Sequence, residues 1–141
     1  MSSQEKSYSE DNSTGANHEG VDANIPVERL TATSIIGDKI ENPIGEKLGK
    51  VNDLMINIQS GEIEYVVIEF GSFLGVGGKL FAVPFRELKL KPDEHIFIYN
   101  REKEYLKKSP GFDKDHWPDT NDKYYEDVNL YYRLSSEAFV R

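Results

Sequence analysis

Residues suited to catalysis are scarce in this chain of 141 residues, and their spacing does not favour it. Cysteine is absent, which removes thiolate nucleophiles, thiolate metal sites and disulfides together. His18, His95 and His116 never meet the H-x-x-x-H spacing that would set two imidazoles on one helix face for zinc. No G-x-S-x-G segment offers a strained serine nucleophile. Carboxylates are plentiful, but any folded chain this rich in acids can bring two together, so abundance alone does not indicate acid–base chemistry. The expectation is a protein that is not an enzyme, with no catalytic residue, no metal ligand set and no cofactor.

Two segments imitate ligand loops and fail on inspection. The glycine-rich stretch from Gly71 to Lys79 lacks the G-x-x-x-x-G-K-[ST] pattern whose amides wrap a phosphate. Counting back from Gly78-Lys79 puts Phe73 at the first glycine, and Leu80 takes the hydroxyl position. A dinucleotide fingerprint beginning at Gly75 would need glycine at Leu80, and no helix follows. The glycines instead permit a tight excursion between two strands. Phe73 and Leu74 near its tip either fold back over an open end of the fold or belong to a partner or self-association surface. The acidic run from Asp113 to Asp122 would place Trp117 at a calcium ligand, Pro118 at the required glycine and Tyr124 at the bidentate glutamate of an EF-hand loop. Trp117-Pro118 reads better as the end of an irregular segment. Asp119 to Asp122 then offer caps for a following helix.

Charge is unevenly placed. The formal net charge is −8. Residues 1–29 carry six acids and two bases, a net of −4. Residues 30–110 carry twelve and eleven, a net of −1, and residues 111–141 carry seven and four, a net of −3. Such a balance argues against a protein that coats nucleic acid or anionic lipid. The polar opening, residues 1–28, cannot bury enough surface to offset the entropy of ordering and reads as a disordered acidic tail. It has neither the basic start nor the apolar run of a signal peptide, and no window is apolar enough for a membrane helix. A cytoplasmic protein without an integral membrane segment is expected. Asn12-Ser13-Thr14 matches a glycosylation acceptor in form only.

The elements that must position any site are mostly strands. Short β-type runs recur from Leu30 onward with turns every eight to twelve residues, the spacing of a small antiparallel sandwich or barrel. The runs are Lys39-Ile40-Glu41, Gly45 to Ile58, Glu62 to Phe70, Leu80 to Phe85, Leu88 to Leu90, and Ile96 to Tyr99, about six strands. Leu48, Val51 and Leu54 lie three apart, so a bend or bulge near Asn52-Asp53 is needed to keep them on one face. Asn57 to Gly61 marks a hairpin. The strand after it is apolar on both faces, which suits a deeply buried strand or one coiled across a barrel wall. Glu102 to Lys108 and Asn121 to about Leu134 read as helices. In the second, Tyr124, Val128, Tyr131 and Tyr132 form one stripe, with Tyr125 off it.

Gly45-Glu46-Lys47-Leu48-Gly49-Lys50-Val51-Asn52-Asp53-Leu54-Met55-Ile56-Asn57, followed by Ser60-Gly61-Glu62-Ile63-Glu64-Tyr65-Val66-Val67, resembles the PRC-barrel family. Gly71 to Lys79, Ala82-Val83-Pro84-Phe85 and Tyr105 to Phe112 continue the likeness, which covers residues 29–112. Asn57 stands where the family often has Asp, and either suits a turn entry. The resemblance implies a compact, mostly antiparallel β-barrel, with residues 113–141 as a C-terminal extension holding the aromatic helix. The family occurs in the cytoplasmic part of the photosynthetic reaction-centre H subunit, in a ribosome-maturation factor and in stand-alone bacterial proteins. In these it acts mainly as an adaptor or assembly module. A stand-alone, stress-associated adaptor suits this layout better than the first two settings. Involvement in a photosynthetic or electron-transport complex, or service as a small ligand- or metal-binding module, is the alternative. The partner is expected to be a protein, with a homodimer as one form and nucleic acid excluded. Its expected contacts are Phe73 and Leu74 in the glycine loop, then Trp117, Tyr124, Tyr131 and Tyr132.

Overall fold

Hydrophobic alternation, interrupted by bulges, wraps one sheet around one core. The computed structural model describes residues 29–71, 79–91, 94–118 and 121–134. The expected tail 1–28 and the pair Phe73 and Leu74 lie outside the described residues. A short helix α1 (Ala32–Ile35) leads into β1 (Lys39–Glu41), β2 (Lys47–Ile56), β3 (Ile63–Phe70) and β4 (Lys79–Pro84). A 3-10 turn (Phe85–Glu87), β5 (Leu88–Lys91), β6 (Ile96–Tyr99), α2 (Lys103–Lys108), β7 (Gly111–Asp113) and α3 (Asn121–Leu134) complete the order.

The described strands form a seven-stranded sheet in the order β5-β6-β1-β2-β3-β4-β7. Its ends do not pair with each other, so the barrel-like wall is not closed by hydrogen bonds. The expected mostly β, barrel-like fold of about six strands is present, and two details add to it. A seventh strand among the described residues is Gly111–Asp113, which is too short to show an alternating pattern yet pairs with Lys79, Leu80 and Phe81 of β4. The sheet is mostly antiparallel, as expected, with one parallel pair, β1 and β6, in which Ile40 lies opposite Phe97. Their relative direction is set by the long path between them, which no local pattern encodes.

The bulge expected near Asn52-Asp53 is present, as a register shift between Val51 and Asp53 against β3. A second irregularity falls between Ile40 and Glu41. Each extra residue resets the alternation, so Leu48, Val51 and Leu54 are all buried despite their spacing of three. The hairpin between β2 and β3 is held by Asn57, whose amide donates to the Glu62 carbonyl at 2.8 Å and whose Oδ1 accepts from the amides of Gln59 and Ser60. Gly49 sits in β2 opposite Phe70 of β3. Its φ is +152°, and a Cβ there would collide with the Glu69 carbonyl oxygen. No side chain fits.

The inner face gathers Ile40, Val51, Val66, Ile68, Val83 and Phe97 into one cluster that also contains Leu106 of α2 and Val128 of α3. The outer face of β3 is apolar as well, because it too is covered: Val67 packs with Leu80 and Phe112, and Met55 and Tyr124 lie against them. The C-terminal helix therefore belongs to the core, and β7 spans the boundary expected between residues 112 and 113.

Replacing Gly49 by Ala should destabilise the fold by more than about 2 kcal/mol, since backbone must move. Gly61→Ala, at φ +81° with nothing within 4 Å of the added carbon, should cost only about 1 kcal/mol. Urea unfolding of both variants checks the order, and equal losses would count against the close approach.

Candidate functional site

Helix α3 carries most of the expected contact residues, and its packing decides which of them can reach a partner. The buried face is Tyr125, Val128 and Tyr132, at i, i+3 and i+7, with Tyr124 and Tyr131 half-buried along its flank. Tyr125 therefore belongs to the packed stripe, contrary to the sequence expectation. Tyr132 is 0% exposed, so it has no surface to offer a partner and is corrected from contact to core residue. Its hydroxyl meets the Tyr99 hydroxyl of β6 at 2.7 Å, and the two rings meet edge to face at 6.3 Å.

The flanking tyrosines are also committed to their own domain. Tyr124 Oη accepts from the Ala82 amide at 3.1 Å and donates to the Pro110 carbonyl at 2.9 Å. It thus bridges β4 and the start of β7 just where their ladder ends. Tyr131 and Tyr105 exchange hydrogen bonds, each hydroxyl donating to the other's carbonyl at 2.8 Å. The Arg101 guanidinium lies 4.6 Å from the Tyr105 ring centre and pairs with Glu87 at 2.8 Å. Of the six expected contacts, Trp117 is the described one with substantial exposure, 40%, and it rests on Phe112. The structure does not bring Trp117 and Tyr131 together: the first sits by β7 and the second by α2.

The open concave surface lies elsewhere. Between the end of the β2–β3 hairpin, the 3-10 turn and α3 runs a groove of about 720 Å³, lined by Ile63, Tyr65, Phe85, Arg86 and Asn129 among others. A hollow of about 450 Å³ adjoins it, lined by Met55, Ile56, Tyr125 and Glu126 and sharing Glu64, Tyr65 and Asn129. Ile56 is 50% exposed and Phe85 39%. The Tyr65 ring packs at a tilt against Tyr125 with centroids 4.6 Å apart, and its hydroxyl donates to the Tyr125 carbonyl at 3.3 Å. Arg86 reaches Asn129 Oδ1 at 3.1 Å. Glu64 accepts a hydrogen bond from Asn57 Nδ2 at 3.0 Å.

Sequence reasoning missed this groove. The alternation of β3 marked Ile63 and Tyr65 as sharing a face, but nothing local said that α3 would lie across that face. Elsewhere, His95 Nδ1 lies 3.3 Å from Asp38 Oδ1. Burial holds the Asp38 carboxyl above its ordinary value while His95 pulls it back. This contact fastens the turn before β6 to the start of β1. Among the described residues no group of three or more His, Asp or Glu could hold a metal ion. Among them also, no helix is long and apolar enough to cross a membrane.

The chain that folds into this curled sheet matches the family model of the PRC-barrel domain over residues 28–105. The chain belongs to the PRC-barrel family. A search of curated proteins found no match.

The buried phenols make the fold sensitive to alkali. Burial pushes Tyr125 up to about 12, with Tyr65 and Asp53 adding to the shift. Burial likewise pushes Tyr99, Tyr124 and Tyr132 well above their ordinary 10.0. A phenol whose folded pKa exceeds its unfolded one stabilises the fold below pH 10.0 and loses that contribution as pH rises toward the folded value. Tyrosinate absorbance from these four should therefore appear late and together with loss of circular dichroism. Titration of all tyrosines in one early step, with the fold intact, would contradict the packing.

Proposed function

We propose that this PRC-barrel protein is a non-enzymatic adaptor or assembly module that grips a protein partner through the groove between the β2–β3 hairpin and α3. The observation that carries the reading is that exposed Phe85 lines the groove and exposed Ile56 lines the hollow, two concavities that share Glu64, Tyr65 and Asn129. Isolated exposed apolar residues are ordinary, but apolar groups that flank a concavity are the usual form of an interaction site. The nearby aromatic rings add rigid contact area at low entropic cost.

Trp117 supplies a second, smaller apolar point, against Phe112 and away from the hairpin. It is a lesser contact in this reading because no groove among those described includes it. A second copy of the chain is one form the partner can take.

Charge placed in the groove should abolish capture without unfolding the protein. An Ile56→Asp, Phe85→Asp double variant, used as bait in affinity capture from the producing cells, should lose the partners that wild type retains. Its far-ultraviolet circular dichroism should stay native. Ile44→Asp is the control, since Ile44 is 73% exposed in the turn before β2, roughly 30 Å of strand away from Ile56. Sedimentation of wild type and double variant reads self-association separately. If the double variant keeps every partner and the same sedimentation behaviour, the groove is not the contact surface.

A further inference from the structure

We propose that the hollow beside the hairpin receives a cationic side chain, arginine in particular, from a segment of the partner protein; the inference rests on the adaptor reading above. Tyr65 and Tyr125 place two rings among the lining residues, in contact and tilted by 31° to each other. A guanidinium or ammonium group is attracted to such ring faces. Glu64 and Glu126 both line the same hollow. Glu64 is held by Asn57 through one oxygen, Oε2, which orients the carboxylate and leaves acceptor capacity on the other.

The single cation among the lining residues of either concavity is Arg86, and Asn129 holds it on the side of the larger groove. Two carboxylates line each concavity, Glu62 and Glu64 in the groove and Glu64 and Glu126 in the hollow, but only the groove sets a base, Arg86, against them. An anionic ligand is disfavoured by that charge pattern.

An independent feature points the same way. Tyr125 is 8% exposed and lines the hollow, and its hydroxyl is the one buried side-chain polar atom among the described residues that lacks a hydrogen-bond partner. A buried hydroxyl left unsatisfied is unfavourable, and an N–H group seated in the hollow would relieve that cost once side chains covering the hydroxyl gave way. Arginine suits the three features together. Its planar guanidinium stacks on rings and presents five donors, whereas lysine offers only a compact point charge.

The test uses the full chain and capped tripeptides, Leu-Arg-Leu and Leu-Glu-Leu, followed through the aromatic nuclear magnetic resonance signals of Tyr65 and Tyr125. The arginine peptide should shift both sets of signals saturably, and the glutamate peptide should leave them unmoved. A Glu64→Gln, Glu126→Gln double variant, altering exposed carboxylates only, should weaken the arginine peptide by about tenfold. Added salt should weaken it as well. Equal binding of both peptides, no shift at Tyr65 and Tyr125, or an unchanged affinity in the double variant would overturn the inference. So would calcium chloride producing the shifts when the arginine peptide does not. If the arginine peptide fails while the Ile56→Asp, Phe85→Asp variant still loses its partner, the cation site is wrong and the adaptor reading stands.

Discussion

The fold depends on how α3 closes a sheet that cannot close itself. β5 and β7 are its edges, and no ladder joins them. Along the helix, Tyr124 reaches β4, Tyr125 packs on β3 and Tyr132 bonds to Tyr99 of β6. Alternation puts Tyr65 of β3 on the outer face and its neighbours Val66 and Ile68 on the inner one. The helix thus begins over the outside of the wall and ends against the inner core. Tyrosine suits this task, since it combines a large apolar ring with a hydroxyl that can satisfy a buried polar group. The Tyr99–Tyr132 bond is the clearest case, because both hydroxyls are buried and each supplies the other with a partner.

Closure by a helix rather than by a strand has a consequence for the surface. A helix crossing a pleated wall at one end cannot fill the angle between them, and the β2–β3 hairpin projects beside it. The resulting groove is a geometric by-product of the closure. Its chemistry comes from residues that the core does not need: Ile56 and Glu64 from the hairpin strands, Phe85 and Arg86 from the turn, Glu126 and Asn129 from the exposed side of α3. Such positions are free to change without disturbing the packed tyrosines, which is the arrangement expected when one scaffold serves different partners.

The charge distribution fits this division. The net of −1 over residues 30–110 leaves the wall mild in charge overall, so the acidity lining the hollow is a local feature. The acidic flanking segments contribute the larger share of the formal −8. They disfavour phosphate-rich ligands for the molecule as a whole.

Much of the wall was legible in the sequence because its signals are local. β1 and β6 fall on the expected runs, and the bulge in β2 follows from the spacing of Leu48, Val51 and Leu54. The Asn57–Gly61 hairpin follows from its turn chemistry, and α2 and α3 from their polar starts and apolar periods. The family likeness was legible too, through the order of its glycines and apolar runs. What local pattern could not supply was anything that depends on two distant segments meeting. The parallel pairing of β1 with β6, the three-residue β7 and the placement of Tyr125 on the buried face are of this kind, as is the burial of Tyr132. The groove joins β2, β3, the 3-10 turn and α3, spanning residues 55 to 129. By itself the sequence determined which residues prefer strand, turn or helix, because those preferences act over a few neighbours. Only the tertiary structure decided which aromatic rings close the barrel and which side chains are left exposed around the groove, because burial is a property of how whole elements pack.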